Sequence, residues 1–259
     1  MKIQRLFIVL TLGVIGMNAA AQEGRNRPYI DDKLFHFGFQ LGVNFASFGV
    51  TDSQLPVIMD KKNHPDQLDT LHVRVSGVTP GFHVGFVSDL RLCKYINLRF
   101  CPGLQFSSRT LTYKANNPNH PVHSQDYVIG SNSRSGYDNQ MHVLAMPVYL
   151  PLYLKFSAER EANYRPYVIA GGGVSLNVSR DREKPVMLNL MDYFCEVGFG
   201  VDLYFQWFKW CPEITYRIGF ADQLVNKEKH PNLQEEYEFY TTSISRLTSH
   251  CICLTFNFE

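Results

Sequence analysis

Phe35-His36-Phe37-Gly38-Phe39-Gln40-Leu41-Gly42-Val43-Asn44-Phe45 alternates without a break. Successive side chains of an extended chain point to opposite sides, so this stretch predicts a strand with two unlike faces. One face carries Phe35, Phe37, Phe39, Leu41, Val43 and Phe45. The other carries His36, Gly38, Gln40, Gly42 and Asn44. A helix would scatter the same residues around all its sides.

Seven further segments repeat the pattern. Phe82, Val84 and Phe86 alternate with His83, Gly85 and Val87. Ile96, Leu98, Phe100, Leu104 and Phe106 alternate with Asn97, Arg99, Cys101, Gly103 and Gln105. From Leu144 to Phe156, Met146, Val148, Leu150, Leu152 and Leu154 oppose Tyr149, Tyr153 and Lys155. Between Tyr164 and Val178, Val168, Ala170, Val174 and Leu176 oppose Gly171, Gly173, Ser175 and Asn177. Val197, Phe199, Val201 and Leu203 oppose Glu196, Gly198, Gly200 and Asp202. Trp210, Ile214, Tyr216, Ile218 and Phe220 oppose Cys211, Glu213, Thr215 and Arg217. Ile252, Leu254, Phe256 and Phe258 oppose Cys251, Cys253, Thr255 and Asn257. Eight strands result.

A soluble sandwich alternates too, but its polar face meets water and is usually rich in Lys and Glu. Here that face is largely Gly, Ser, Asn and Thr with isolated charges, which suits the crowded interior of an eight-strand barrel. The Phe, Leu, Val and Ile of the other face suit contact with lipid. Tyr95, Tyr164, Tyr193, Trp207 and Trp210 fall at strand ends, where an interfacial girdle belongs. The connections point the same way. Long segments at about 47–77, 107–140, 179–191 and 221–245 alternate with short ones near 91–94, 158–163 and 206–207. That rhythm predicts an all-β fold, an eight-stranded antiparallel transmembrane β-barrel with long extracellular loops and short periplasmic turns. Both termini are then periplasmic. Pro102, Pro147, Pro151, Pro166 and Pro212 fall in predicted strands, where each removes a ladder donor and calls for a bulge.

Composition is consistent with this reading while hiding it. The 259 residues hold 25 Lys plus Arg against 24 Asp plus Glu, so the chain lacks the basic excess of a nucleic-acid binder. Mean hydropathy is −0.17, because a barrel dilutes its lipid face with lumen and loops. The 14% of aromatic residues is the number that betrays the strands. Lys2 and Arg5, the apolar run Leu6 to Ile15 and the small residues Ala19-Ala20-Ala21 predict a signal peptide over residues 1–21. A short periplasmic segment over 22–33 and a barrel over 34–259 complete the expected domains. The later stretch Val143 to Leu154 is too short for a helix to span a bilayer and carries two prolines. Membrane residence must therefore come from a closed barrel.

The inward parity positions include Asp89, Arg99, Lys155, Glu196, Asp202, Glu213 and Arg217. Buried charges need partners, so an internal salt-bridge network is expected, with Glu196 and Glu213 meeting Arg217 or Arg99. Eight strands leave little open lumen, which argues against a pore. Some barrels of this size modify lipids with Ser, His and carboxylate groups, and His142 is the one histidine placed for that. No Ser and acid stand beside it at a readable spacing. His36 and His83 point inward, and His64, His72, His120, His123 and His230 fall in loops. Gly171-Gly172-Gly173 is no phosphate loop, since no helix or Lys-Ser/Thr follows.

Cys93, Cys101, Cys195, Cys211, Cys251 and Cys253 match no disulfide scaffold or zinc spacing, and two readings stand: packed free thiols, or at least one disulfide in an exported chain. Catalytic, cofactor and metal residues are therefore expected to be none. The alternating end, Cys253 to Glu259, resembles the terminal signal read by the barrel assembly machinery, with Phe258 penultimate where that signal has its aromatic last.

Leu144-Ala145-Met146-Pro147-Val148-Tyr149-Leu150-Pro151-Leu152-Tyr153-Leu154-Lys155-Phe156 and Tyr164-Arg165-Pro166-Tyr167-Val168-Ile169-Ala170-Gly171-Gly172 resemble the middle of PorT-type outer-membrane barrels. Glu196-Val197-Gly198-Phe199-Gly200-Val201-Asp202 and Cys211-Pro212-Glu213-Ile214-Thr215-Tyr216-Arg217-Ile218-Gly219 are similar to the same family's later strands. The resemblance covers nearly the whole mature chain. It implies a non-enzymatic component of type IX secretion, which carries proteases and adhesins across the outer membrane of a Gram-negative bacterium and exports motility adhesins in gliding relatives. The implied partners are outer-membrane lipid, other type IX secretion subunits and the barrel assembly machinery, with no cofactor.

Overall fold

The computed structural model describes residues 26–53, 56–60, 64–75, 78–116, 140–178, 186–225 and 238–259. The expected signal peptide, His120, His123 and His230 lie outside the described residues. Thirteen strands are described: β1 (Phe35–Asp52), β2 (Val57–Asp60), β3 (His64–Asp69), β4 (Leu71–Val75), β5 (Thr79–Arg91), β6 (Ile96–Phe100), β7 (Gly103–Ala115), β8 (Gln140–Ala145), β9 (Pro147–Ser157), β10 (Tyr164–Asn177), β11 (Met191–Tyr204), β12 (Lys209–Gly219) and β13 (Ile244–Phe258). A short helix α1 (Glu238–Thr242) leads into the last of them.

Antiparallel pairing runs from β1 through β13, β12, β11, β10 and β9 to β6 and β5. It then returns to β1, which pairs with both β13 and β5. Two of the eight walls are strands that a proline interrupts. Phe100 faces Leu152 and Gly103 faces Tyr149, so β6 and β7 keep one register across Cys101-Pro102. Ser107 facing Ala145 shows the same for β8 and β9 across Met146. The ring therefore has eight strands, as the parity predicts.

The expected bulges at the prolines are absent from these registers. Pro151 stands opposite Gly173, Pro166 opposite Val201 and Pro212 opposite Phe256 with no slip. A proline removes one ladder bond but leaves no N–H to satisfy, and its carbonyl still accepts. Phe86 N–H donates to Pro102 at 2.9 Å and Ala158 N–H to Pro166 at 2.9 Å. The only shift in the wall pairings of β1 and β13 comes at Thr51/Asp52, at the loop end.

The lipid-facing wall is as expected. Phe37 and Phe86 are each 72% exposed, and every wall strand bears further exposed Phe, Leu, Val, Ile or Tyr. Such a continuous apolar surface is tolerable only in lipid. From Phe35 to Phe45, ten steps of about 3.3 Å tilted by about 40° give a band about 25 Å tall. Tyr95, Tyr164 and Trp207 are exposed at the turn end, and Tyr193 is exposed near the other end of β11.

Several strands run well past the apolar band, and there they differ from the sequence reading. β1 continues to Asp52, β7 to Ala115, β8 begins at Gln140 and β13 at Ile244, all in segments expected to be loops. His64 and His72 likewise fall on β3 and β4, not in loops. In this half the inward residues turn apolar. Phe48, Leu71, Val73, Leu111, Tyr113, Met141, Val143, Val186, Leu188, Leu224, Tyr240, Ile244 and Leu247 form one buried cluster. β4 takes the place of β5 beside β7, with Val75 opposite Leu111 and Leu71 opposite Ala115.

The turn end is crossed by the segment preceding β1. A single 3-10 turn at Ile30–Asp32 buries Ile30. Asn26 N–H donates to Asn163 Oδ1 at 2.8 Å, and Asn26 Nδ2 donates to the Tyr204 carbonyl at 3.0 Å. Tyr204 hydroxyl donates to Asp31 at 2.7 Å, and the Arg160 guanidinium stacks 3.6 Å from the Tyr204 ring centroid. The expected periplasmic segment is thus a strap tied to two turns of the barrel.

Candidate functional site

The charged lumen is the site that the fold builds. Its charged side chains come from the inner faces of five walls and from Glu259 just past β13, and two of its ion pairs are direct cross-strand neighbours: Asp89 opposite Arg99, and Glu196 opposite Arg217. Near the turn end, Arg99 Nη2 meets Asp89 Oδ2 at 3.0 Å and Glu259 Oε1 at 3.0 Å. Its Nη1 reaches Glu213 Oε2 at 3.2 Å. Lys155 Nζ meets Asp202 Oδ2 at 2.7 Å and lies 4.0 Å from Asp89 Oδ2. Lys209 pairs with Glu259. Arg99, Lys155, Asp89 and Asp202 are all essentially inaccessible to solvent.

Aromatic groups complete the cluster. The Tyr167 hydroxyl donates to Glu213 at 2.9 Å, while Lys155 Nζ sits 4.0 Å from the Tyr167 ring centroid. Tyr167 fits because Gly200 stands beside it; a Cβ there would come within 2.5 Å of the ring. One level further from the turns, Arg217 Nε donates to Glu196 Oε2 at 2.7 Å and Tyr153 hydroxyl to the same oxygen at 2.8 Å. Arg217 lies 3.8 Å from the Tyr149 ring centroid and donates to Gln105 at 3.2 Å. Gln105 in turn donates to Asn44 at 3.2 Å.

All seven charges predicted from parity meet in this lumen. Glu213 finds Arg99 and Glu196 finds Arg217, as expected. Lys209 and Glu259 were missed, although the signal was present: stepping by two from Glu213 and from Asn257 puts both inward. Removing one member of such a buried cluster strands its partners and costs about 3–5 kcal/mol, so the charges hold one another in place.

A cavity of ≈ 30 Å³ remains among Gln40, His83, Gln105, Tyr153, Glu196 and Arg217. That is room for about two water molecules and none for a solute. His83 lies inward as predicted, with Nε2 3.0 Å from the Thr255 hydroxyl, and His36 is buried. His142 stands opposite Thr110 in the register, and its side chain is outside the described residues. Among the described residues no group of three or more His, Cys, Asp or Glu has metal-binding geometry. Of the two cysteine readings, free thiols hold: all six are unpaired, with Cys93 and Cys195 exposed. Cys251 and Cys253 share the inner face with their sulfurs 3.5 Å apart.

An apolar wall, an eight-strand ring and a salt-bridged lumen define a small outer-membrane β-barrel. A family model described as outer membrane protein beta-barrel domain matches residues 20–225, and the chain belongs to that family. Among solved structures, the chain is similar to neisserial surface protein A, with a TM-score of 0.41 and 9% identity over 87% of this chain and 98% of that one. It is also similar to outer membrane protein AlkL in lipid bilayers, with a TM-score of 0.36 and 12% identity over 92% and 93%. No curated protein matches the chain.

Proposed function

We propose that the protein is a non-conducting, non-enzymatic accessory of type IX protein secretion. Its short turns and both termini face the periplasm, and its long loops face the outside. The filled lumen carries this reading. Arg99, Lys155 and Lys209 bind Asp89, Asp202, Glu213 and Glu259 across the ring, so secreted cargo has no path through this chain. Its contribution then comes through its surfaces. The apolar wall anchors it, and the turn-end strap or the loop-end half offers contacts to other secretion subunits. The resemblance of residues 144–156, 164–172, 196–202 and 211–219 to PorT-type barrels is the ground for proposing that system.

Two measurements test the reading. Purified protein in planar bilayers is expected to give no unitary conductance steps, and stable steps would reject a closed lumen. Deletion in the source bacterium is expected to leave secreted proteases and adhesins in the periplasm; unchanged extracellular cargo would remove the secretion role.

A further inference from the structure

The wall changes character immediately beyond the apolar band on four adjacent strands, β7, β4, β1 and β13. Past Phe45, the outward positions of β1 are Ser47, Gly49 and Thr51, and these face His250, Thr248 and Arg246 of β13. Past Phe106, β7 reaches Thr112 and Lys114, which face Arg74 and His72 of β4. Asp52 joins β4 to β1 by accepting from Val73 N–H at 3.1 Å, so the four strands form one continuous face. Arg74, Lys114, His72, Arg246 and Thr51 are exposed.

Among the described residues the charge on this face is mainly positive, with Asp52 as a partly exposed carboxylate beside His72. Arg74 and Lys114 have no acidic partner among the described residues, and Arg246 donates to a neutral group, the Phe220 carbonyl, at 2.9 Å. The nearby carboxylates are engaged. Asp52 holds Val73 N–H and His72, and Asp222 turns onto the N–H groups of Leu224 and Leu247 at 3.1 and 3.0 Å. At about 3.4 Å per residue and a tilt of about 40°, these cations stand about 5 to 20 Å beyond the last outward apolar side chains. That span passes through the interfacial layer of a phospholipid, about 5–8 Å thick, and into the depth that only the sugars of a glycolipid reach.

We propose that this face binds the phosphorylated glycolipid of the outer leaflet, with Arg74, Lys114 and Arg246 taking its sugar phosphates and the exposed Thr51 hydroxyl meeting its sugars. Guanidinium groups bind phosphate bidentately, and a free hydroxyl beside them suits a phosphorylated sugar better than a bare anion. The turn end is different: Arg91 pairs with Asp32 at 3.1 Å and Lys94 with Glu159 at 3.0 Å, which leaves Lys33 as a lone exposed cation rather than part of a cluster. The inference rests on the loop-outward orientation proposed above, and on none of the secretion role.

The test uses the full chain in phosphatidylcholine nanodiscs titrated with diphosphoryl lipid A, beside a triple variant Arg74→Ser, Lys114→Ser, Arg246→Ser. Each cation near an anionic surface is worth about a factor of five, so the triple variant is expected to bind about a hundredfold more weakly. Binding within twofold of the unaltered chain would overturn the proposal. So would equal affinity for phosphatidylglycerol, which has the charge without the sugar phosphates. If the triple variant loses its heat-dependent gel mobility, the single Arg74→Ser is read instead, with about a fivefold loss expected and no loss refuting. Protease added to intact cells reports orientation separately. Protected loops would overturn the orientation itself, while cleaved loops without lipid A selectivity would overturn the glycolipid alone.

Discussion

The two halves of this barrel have opposite insides and outsides, and a single strand passes through both. In the turn half of β1, Phe35 to Phe45 face outward while His36, Gln40 and Asn44 face the lumen. In the loop half, Ser47, Gly49 and Thr51 face outward while Ala46, Phe48 and Val50 face the interior. The alternation does not slip from Phe35 to Thr51; only the solvent on each side changes. Surrounded by lipid, a barrel gains nothing by burying apolar side chains inside, so its interior is specified by paired charges and hydrogen bonds. Surrounded by water, the same ladder is stabilised by apolar burial like any soluble protein. The depth at which polarity inverts marks the edge of the membrane.

The sharpest way to break this comparison is to remove a central charge. Arg99→Met leaves Asp89, Glu213 and Glu259 without their shared cation, and a loss of about 3–5 kcal/mol is expected in urea unfolding from lipid vesicles. A midpoint equal to that of the unaltered chain would mean that the luminal charges do not hold the turn half together. Leu247→Ala empties a fully buried position of the loop-half cluster and is expected to cost about 2–4 kcal/mol. Limited proteolysis should then cut the loop half faster while the heat-modifiable band persists. If instead this variant lowers the unfolding midpoint of the whole barrel as far as Arg99→Met does, the halves are one cooperative unit.

One substitution placed on either side of the boundary sharpens the comparison. Leu41→Lys puts an ammonium near the middle of the lipid band, at a cost of about 2–3 kcal/mol. Thr51→Lys, ten residues further along the same outward face, is expected to change stability by less than about 0.5 kcal/mol. Equal costs at the two positions would place the membrane edge elsewhere.

Much of the turn half was legible in the residues. There the apolar face and the polar face differ at every step, so parity alone assigned eight strands, the lipid wall and seven luminal charges. Lys209 and Glu259 follow the same parity and lie one step beyond the alternating segments. The loop half was not legible in the same way. Its strands carry Leu111, Tyr113 and Leu247 inward among Ser, Thr and Arg, which reads as polar loop to an eye expecting greasy residues outward. The prolines misled for a different reason. Their cost depends on whether a facing carbonyl can do without one donor, and the ring tolerates that loss without changing register.

The sequence by itself determined the period, the two faces and the number of walls, because alternation is a local property of extended chain and needs no knowledge of partners. Tertiary structure alone decided which charges pair, since Arg99 on β6 meets Glu213 on β12 and Glu259 past β13 only when the ring brings distant walls across a narrow lumen. It also decided where the strap at Asn26 and Asp31 lies and where the barrel leaves the membrane. Those features depend on what surrounds each residue in three dimensions, and period two carries no record of its surroundings.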